Sequence, residues 1–154
     1  MSHTYPFPRP QLAVDAVVFG RKGPGGLRHV LLIRRGKEPY KYCWAFPGGF
    51  FDMTDESTEW GAARELREET GIELFAGKME QLRVFSSPGR DPRERVISVA
   101  HVAFIDELPE CKGADDAADA RWFPIADVHL DMFAFDHKRI YAKALRALMD
   151  HDAA

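Results

Sequence analysis

The stretch Gly48–Ile72, GGFFDMTDESTEWGAARELREETGI, decides how the rest of the chain is interpreted. It opens on a glycine pair and continues into a predicted helix that Gly71 ends. At about 100° per residue, Glu65, Glu68 and Glu69 fall within roughly 100° of arc, so they project from one stripe of that helix. Clustered carboxylates repel one another unless a positive charge lies among them. The pattern therefore indicates a site for a divalent cation.

A solvated helix face is the alternative for these charges. Arg64 and Glu68 are four residues apart, and such a pair stabilises an exposed helix by about 0.2–0.5 kcal/mol. The metal site is favoured because the glycine pair, an acidic residue ahead of the helix and the terminal Gly71-Ile72 occur together with the carboxylates.

The order of these residues resembles the signature of the Nudix hydrolases: a Gly, a Glu, then Arg-Glu-aliphatic-x-Glu-Glu-x-Gly-aliphatic. The chain reads RELREETGI over Arg64–Ile72, with Glu56 eight residues before Arg64. The family places five residues between the second Gly and the first Glu, whereas six separate Gly49 from Glu56 here. Either the loop carries one extra residue, or Asp55 stands in for the Glu.

The resemblance implies a metal site built from oxygen ligands, which select Mg²⁺ or Mn²⁺ over Zn²⁺. Its ligands are expected to be the side chains of Glu65, Glu68 and Glu69 and the backbone carbonyl of Gly49. Arg64 is expected to be an orienting group that pairs with Glu56 and fixes the loop against the helix.

The family reaction is hydrolysis of a nucleoside diphosphate linked to another moiety, and it needs a general base. The resemblance places the base on the loop before the last strand, where Asp115 and Asp116 lie, the latter six residues before Trp122. More distant candidates are Glu107 and Glu110. Alternatively, Glu68 is both a metal ligand and the base.

Pro88 lies sixteen residues beyond Ile72, a spacing that resembles the ADP-ribose pyrophosphatases of this family. The expected products are AMP and ribose 5-phosphate. Alternatives are a nucleoside triphosphate or dinucleotide pyrophosphatase, and a nucleotide-sensing module without turnover. Further candidate substrate contacts are Arg34, Phe46, Arg90 and Arg93, the arginines for phosphate or ribose hydroxyls and the phenylalanine for a base.

Composition limits the remaining function classes. The 154 residues suit one domain, and a net charge of −3 argues against bulk attraction to nucleic acid or an anionic membrane. No apolar run of membrane-spanning length is present, and two cysteines make no disulfide framework. We therefore expect a cytoplasmic protein with a small nucleotide ligand.

Strand patterns over 13–19, 28–34, 44–46, 79–86, 96–105 and 120–123 surround two helices, the second running from an Asp136 cap to Met149. These elements predict an α+β fold with a mixed sheet, and the resemblance implies the Nudix-type α/β/α sandwich. Residues 1–10 are expected to be a Pro-rich arm, and 11–150 one domain. The arm can also pack between subunits, so a homodimer stays open.

Overall fold

The computed structural model of the protein describes residues 2–154. Its strands are β1 (Gln11–Gly20), β2 (His29–Arg35), β3 (Trp44–Ala45), β4 (Gly48–Phe50), β5 (Glu80–Phe85), β6 (Val96–Phe104) and β7 (Ala117–Pro124). The α-helices are α1 (Thr58–Thr70) and α2 (His137–Ala153), and short 3-10 helices span Ala76–Lys78, Ile125–Asp127 and Leu130–Met132.

All seven strands belong to one sheet, whose main path runs β3-β2-β1-β6-β5. Strand β4 pairs with β1, and β7 pairs with β2. The long central pair β1–β6 is parallel, and the other pairings are antiparallel. The predicted α+β fold with a mixed sheet is therefore confirmed.

The two helices cover opposite faces of the sheet. Successive side chains of a strand point to opposite faces, so alternate residues of β1 pack against different helices. On β1, Val14, Ala16 and Val18 join a buried cluster that includes Leu66 of α1. The intervening Val17 and Phe19 join a second cluster built on α2, whose buried contributions are Ile140, Tyr141, Ala144 and Leu148. The α/β/α layering follows directly from this alternation.

Helix α1 is capped at both ends, and it ends at Gly71 as the sequence predicts. The Ser57 hydroxyl accepts a hydrogen bond from the Trp60 amide at 3.1 Å, which satisfies one of the free amides of the first turn. Gly71 adopts the left-handed conformation, with a φ of 78°, and its amide donates to the Arg67 carbonyl. These two caps fix the register of the carboxylates along the helix.

Helix α2 is held at both ends by arginine–carboxylate pairs. Asp136 occupies the predicted cap position before the first residue of α2. Its side chain, however, does not cap the helix. The carboxylate instead accepts two hydrogen bonds from Arg90, at 3.0 and 2.7 Å. At the far end Arg28 binds Asp152 through two hydrogen bonds of 3.0 and 2.6 Å. The helix continues to Ala153, beyond the predicted end at Met149.

The N-terminal arm, residues 2–10, contains neither helix nor strand and is exposed throughout. Strand β7 begins at Ala117, three residues before the start of the strand predicted over 120–123. Within residues 2–154, neither helix combines the length and the apolar character needed to cross a bilayer.

Candidate active site

The glycine pair is the point at which β4 and the C-terminal half of α1 meet. The Gly48 amide donates a hydrogen bond of 2.7 Å to Oε1 of Glu69. A Cβ atom on Gly49 would lie only 2.6 Å from Oε1 of Glu65. The strand and the helix therefore approach so closely that a side chain at Gly49 would displace the Glu65 carboxylate.

The three carboxylates of the signature helix differ in their exposure. The Glu68 side chain is 41% exposed and that of Glu65 is 13% exposed, whereas Glu69 is buried. Burial raises the pKa of Glu69 to about 8, against the opposing effect of the Gly48 amide, and burial also raises the pKa of Glu65. A cation near these groups would lower the free energy of their ionised forms.

The donor set fits a hard divalent ion. Each carboxylate accepts a hydrogen bond on one oxygen, from Arg64 or from Gly48, and its second oxygen accepts none within residues 2–154. The second oxygens, Oε2 of Glu65, Oε1 of Glu68 and Oε2 of Glu69, are the type of ligand that Mg²⁺ and Mn²⁺ prefer. In the same described range no three acidic, histidine or cysteine side chains form a ready-made metal cage.

Arg64 holds the loop and the helix together. Its Nε and Nη2 atoms donate to the two oxygens of Asp55 at 2.7 and 2.9 Å, and Nη2 also donates to the Phe50 carbonyl at 3.2 Å. Its Nη1 atom donates to Glu65 at 2.8 Å and to Glu68 at 3.1 Å. The guanidinium therefore orients two of the three signature carboxylates. Its hydrogen bonds also hold the pKa of Asp55 below the usual range.

The expected pair between Glu56 and Arg64 is wrong. Glu56 is exposed, whereas the Asp55 side chain is fully buried and carries the bidentate contact. Five residues separate Gly49 from Asp55, which is the family spacing, so the loop has no extra residue and Asp55 stands in for the Glu. Its second oxygen also accepts from the Asp52 amide at 2.9 Å, which closes the turn before the helix.

A cleft of about 490 Å³ lies beside this corner. Its acidic wall includes the three signature carboxylates and the candidate bases Asp115 and Asp116, so the structure brings these groups to one cavity. Asp116 is exposed and pairs with Lys37 at 3.0 Å. The more distant candidates Glu107 and Glu110 do not line the cleft.

The predicted substrate-binding residues divide into two groups. Arg90, Arg93 and Phe46 line the cleft, but the Arg34 and Pro88 side chains do not. Arg34 donates to the Tyr42 carbonyl at 3.2 Å, because its neighbour on the strand takes the cleft-facing position.

Two of the three predicted residues that line the cleft already have partners inside the protein. The Arg90 guanidinium is committed to Asp136, and Phe46 is 2% exposed and stacked on His137. Arg93 is the freer group, since its side chain is 42% exposed although it binds Asp91.

Arg35, which neighbours Arg34 on β2, lines the cleft together with Arg93. Its Nε atom donates to the Pro39 carbonyl at 2.7 Å, and its buried Nη2 atom has no hydrogen-bond partner within residues 2–154. Arg35 and Arg93 both lie over the Phe135 ring, at 4.8 and 5.8 Å from its centroid. The sequence of β2 does not distinguish Arg35 from Arg34, because the four residues before them are buried on both faces of the strand.

The NUDIX domain family matches residues 9–144, most of the chain. The chain belongs to the NUDIX family. The resemblance seen in the sequence is thereby confirmed, and the corner formed by Gly48, Gly49 and α1 is the Nudix signature of this protein.

The chain is similar in sequence to a pyrophosphatase and to a transcriptional repressor. It is 38% identical over 138 residues to the ADP-ribose pyrophosphatase of Methanocaldococcus jannaschii, covering 89% of this chain and 74% of that protein. It is 31% identical over 144 residues to the ADPR responsive transcriptional repressor NtrR of Acinetobacter baylyi, covering 92% of this chain. The match spans only 56% of the repressor, so this chain corresponds to just over half of it.

A solved structure supports the same placement. The NUDIX domain of Shewanella oneidensis NrtR, complexed with ADP ribose, superposes with a TM-score of 0.81 at 34% identity. The match covers 92% of this chain and 90% of that one. The Nudix-type sandwich is therefore confirmed.

Substituting Asp55→Ala in this Nudix protein should lower the free energy of unfolding by about 2–3 kcal/mol, because it leaves the Arg64 guanidinium without its buried partner. Glu56→Ala is the matched control and should change it by less than about 0.5 kcal/mol. Urea unfolding followed by circular dichroism measures both. Equal losses in the two variants would contradict the assignment of Asp55.

The metal-free protein should lose stability as the pH rises. The folded-state pKa of Glu69, about 8, lies above the unfolded value of 4.5, so its contribution is fully present below pH 4.5 and is lost as the pH rises through 8. With a chelator present, Glu69→Gln should therefore have a higher Tm than wild type at pH 8, and the difference should shrink towards pH 5. A Tm difference independent of pH would contradict this.

Proposed function

We propose that this protein hydrolyses the diphosphate bond of ADP-ribose, with water, to AMP and ribose 5-phosphate. The observation that carries the proposal is a single cleft in which the signature carboxylates face Arg35 and Arg93. The ADP-ribose pyrophosphatase relative and the ADP ribose complex of the NrtR domain support this substrate. A cytoplasmic location is part of the proposal, supported by the two free cysteines.

Mg²⁺ or Mn²⁺ would be held by Glu65, Glu68 and Glu69 with the Gly49 carbonyl. When bound, the ion polarises the phosphoanhydride and neutralises charge that develops in the transition state. The exclusively oxygen donor set favours these ions over Zn²⁺.

The remaining functions are assigned to side chains of the chain itself. Arg64 orients the Glu65 and Glu68 carboxylates through its hydrogen bonds to both. On the opposite wall, the unpartnered Nη2 atom of Arg35 is available to a phosphate oxygen, and Arg93 adds a second positive charge. The diphosphate is thereby fixed between acidic and basic groups.

Asp116 is proposed as the base that takes a proton from the attacking water. It lines the cleft, and it lies on the loop immediately before β7. Asp115 lines the same cleft, and Glu68 is the alternative that would serve as both ligand and base. A carboxylate placed at such a position typically contributes about 10²–10⁴-fold to the rate.

Nucleotide sensing without turnover is the second candidate function. It is favoured by the similarity to the ADPR responsive transcriptional repressor. The pairing of Arg64 with two expected metal ligands is also consistent with a site that binds without reacting.

An activity panel distinguishes the two functions. In Mg²⁺ or Mn²⁺, ADP-ribose should be hydrolysed with a higher kcat/KM than NADH, diadenosine polyphosphates, sugar nucleotides or ATP, as followed by chromatographic separation of products. Glu69→Gln should lose turnover while remaining folded. Tight binding without turnover of any compound would favour the sensor, and faster turnover of triphosphates would overturn the substrate assignment.

Removing the base should leave metal activation intact. Asp116→Asn should lower kcat by about 10²–10⁴-fold at an unchanged Mn²⁺ activation constant, because only proton transfer is lost. Glu110→Gln is the matched control, as that residue lies outside the cleft. If Asp116→Asn keeps full activity and Glu68→Gln alone is inactive, Glu68 is the base.

A further inference from the structure

Asp15 is a buried carboxylate on the floor of the cleft. It lies on β1, is 6% exposed and lines the cavity on the α2 side of the sheet. Its Oδ2 atom accepts a hydrogen bond from the Ser98 hydroxyl of β6. Its Oδ1 atom has His137 Nε2 at 3.7 Å, beyond hydrogen-bond reach, and accepts no hydrogen bond within residues 2–154. One oxygen of a buried acid is therefore available to a ligand.

His137 does not neutralise this acid. Its Nδ1 atom accepts a hydrogen bond from the Phe46 amide at 3.0 Å, so the proton of the neutral ring is on Nε2. Complete burial lowers the pKa of His137 and keeps the ring neutral. Across the described part of the chain, no lysine or arginine forms an ion pair with Asp15.

Asp15 lies directly beside the expected metal site. It is the register partner of Gly48 in the β1–β4 pair, and the Gly48 amide binds Glu69. A Cβ atom on Gly48 would collide with the Asp15 carboxylate. A group that contacts Oδ1 is therefore the immediate neighbour of a phosphate held at the signature carboxylates.

Apolar side chains contribute to the lining of the same cleft, among them Ala13, Ile33, Ala45 and Val96. A buried acceptor without a partner discriminates strongly between ligand groups, because a ligand without a donor leaves it unsatisfied. A phosphate at the same place would bring like charges together in a poorly screened position.

We propose that Asp15 determines specificity by accepting a hydrogen bond from the sugar hydroxyl next to the diphosphate and by repelling a further phosphate there. The inference rests on the proposed function and extends it. It makes the carboxylate on β1 the group that distinguishes a sugar-linked diphosphate from a nucleoside triphosphate. Arg35 and Arg93 do not provide this distinction, because either compound presents phosphate oxygens to them.

The test compares kcat/KM for ADP-ribose and ATP in wild type and in Asp15→Asn. The amide oxygen can take over the Ser98 contact, which places the NH₂ group where the acceptor was. The preference for ADP-ribose over ATP should fall by at least about 10-fold. Asp106→Asn, which removes the same charge from a surface pair with Arg21, should leave the preference unchanged.

Two further measurements complete the test. The Mn²⁺ activation constant should stay within about twofold of wild type, since Asp15 is not assigned to the ion. An equal loss for both substrates with a raised Mn²⁺ requirement would show action through Glu69 and overturn the inference. Ser98→Ala, which keeps the acid and removes only its tether, should shift the preference in the same direction by a smaller factor, and serves if Asp15→Asn fails to fold.

Calorimetric binding of the same two compounds separates this inference from the proposed function. If wild type binds ADP-ribose without hydrolysing it, the proposed function fails, and the ratio of the two Kd values still decides the role of Asp15. A ratio that stays within about twofold in both variants would overturn that role.

Discussion

The hydrogen bond from the Gly48 amide to the buried carboxylate of Glu69 is the contact on which the catalytic end of the fold depends. It lies where β1, β4 and α1 come together, and the close approach requires glycine at positions 48 and 49. The carboxylate is excluded from water, and the nearby charge of Glu65 further raises its pKa. A cation is the natural complement of a carboxylate that is buried in this way, because burial disfavours its charged form.

Arg64 compensates the charge of a second group of carboxylates. Glu65, Glu68 and Asp55 would repel one another across the loop, and one guanidinium connects all three. The lining of the cleft carries charges of both signs, with three carboxylates on α1 and the guanidinium groups of Arg35 and Arg93. A diphosphate with a bound cation also carries charges of both signs and is complementary to such a lining.

Much of the fold could be predicted because its determinants are local. The strand over 13–19 and the end of α1 at Gly71 depend on adjacent residues, and both are present in the structure. The three carboxylates of α1 lie together in one cleft, as their local spacing predicts. Contacts between distant segments were not predictable in this way. Arg90 was assigned to substrate because nothing in its own segment reveals that Asp136, 46 residues later, takes its guanidinium.

The same limit explains Asp15 and Glu56. An isolated aspartate inside an apolar strand gives no local signal of a function, because only the parallel pairing with β6 brings Ser98 beside it. Glu56 had the preferred side chain but the wrong spacing, and the shorter Asp55 reaches Arg64 from the position that the loop geometry selects. The position of the residue in the loop, rather than the length of its side chain, therefore decides which acid binds Arg64.

Helix α2 lies between two anchors, Arg90 at its first turn and Arg28 at its last, and its 17 residues span about 25 Å. Its first residue, His137, lines the cleft, whereas Arg28 and Asp152 at its far end do not. The helix thus connects the cleft to an ion pair outside it.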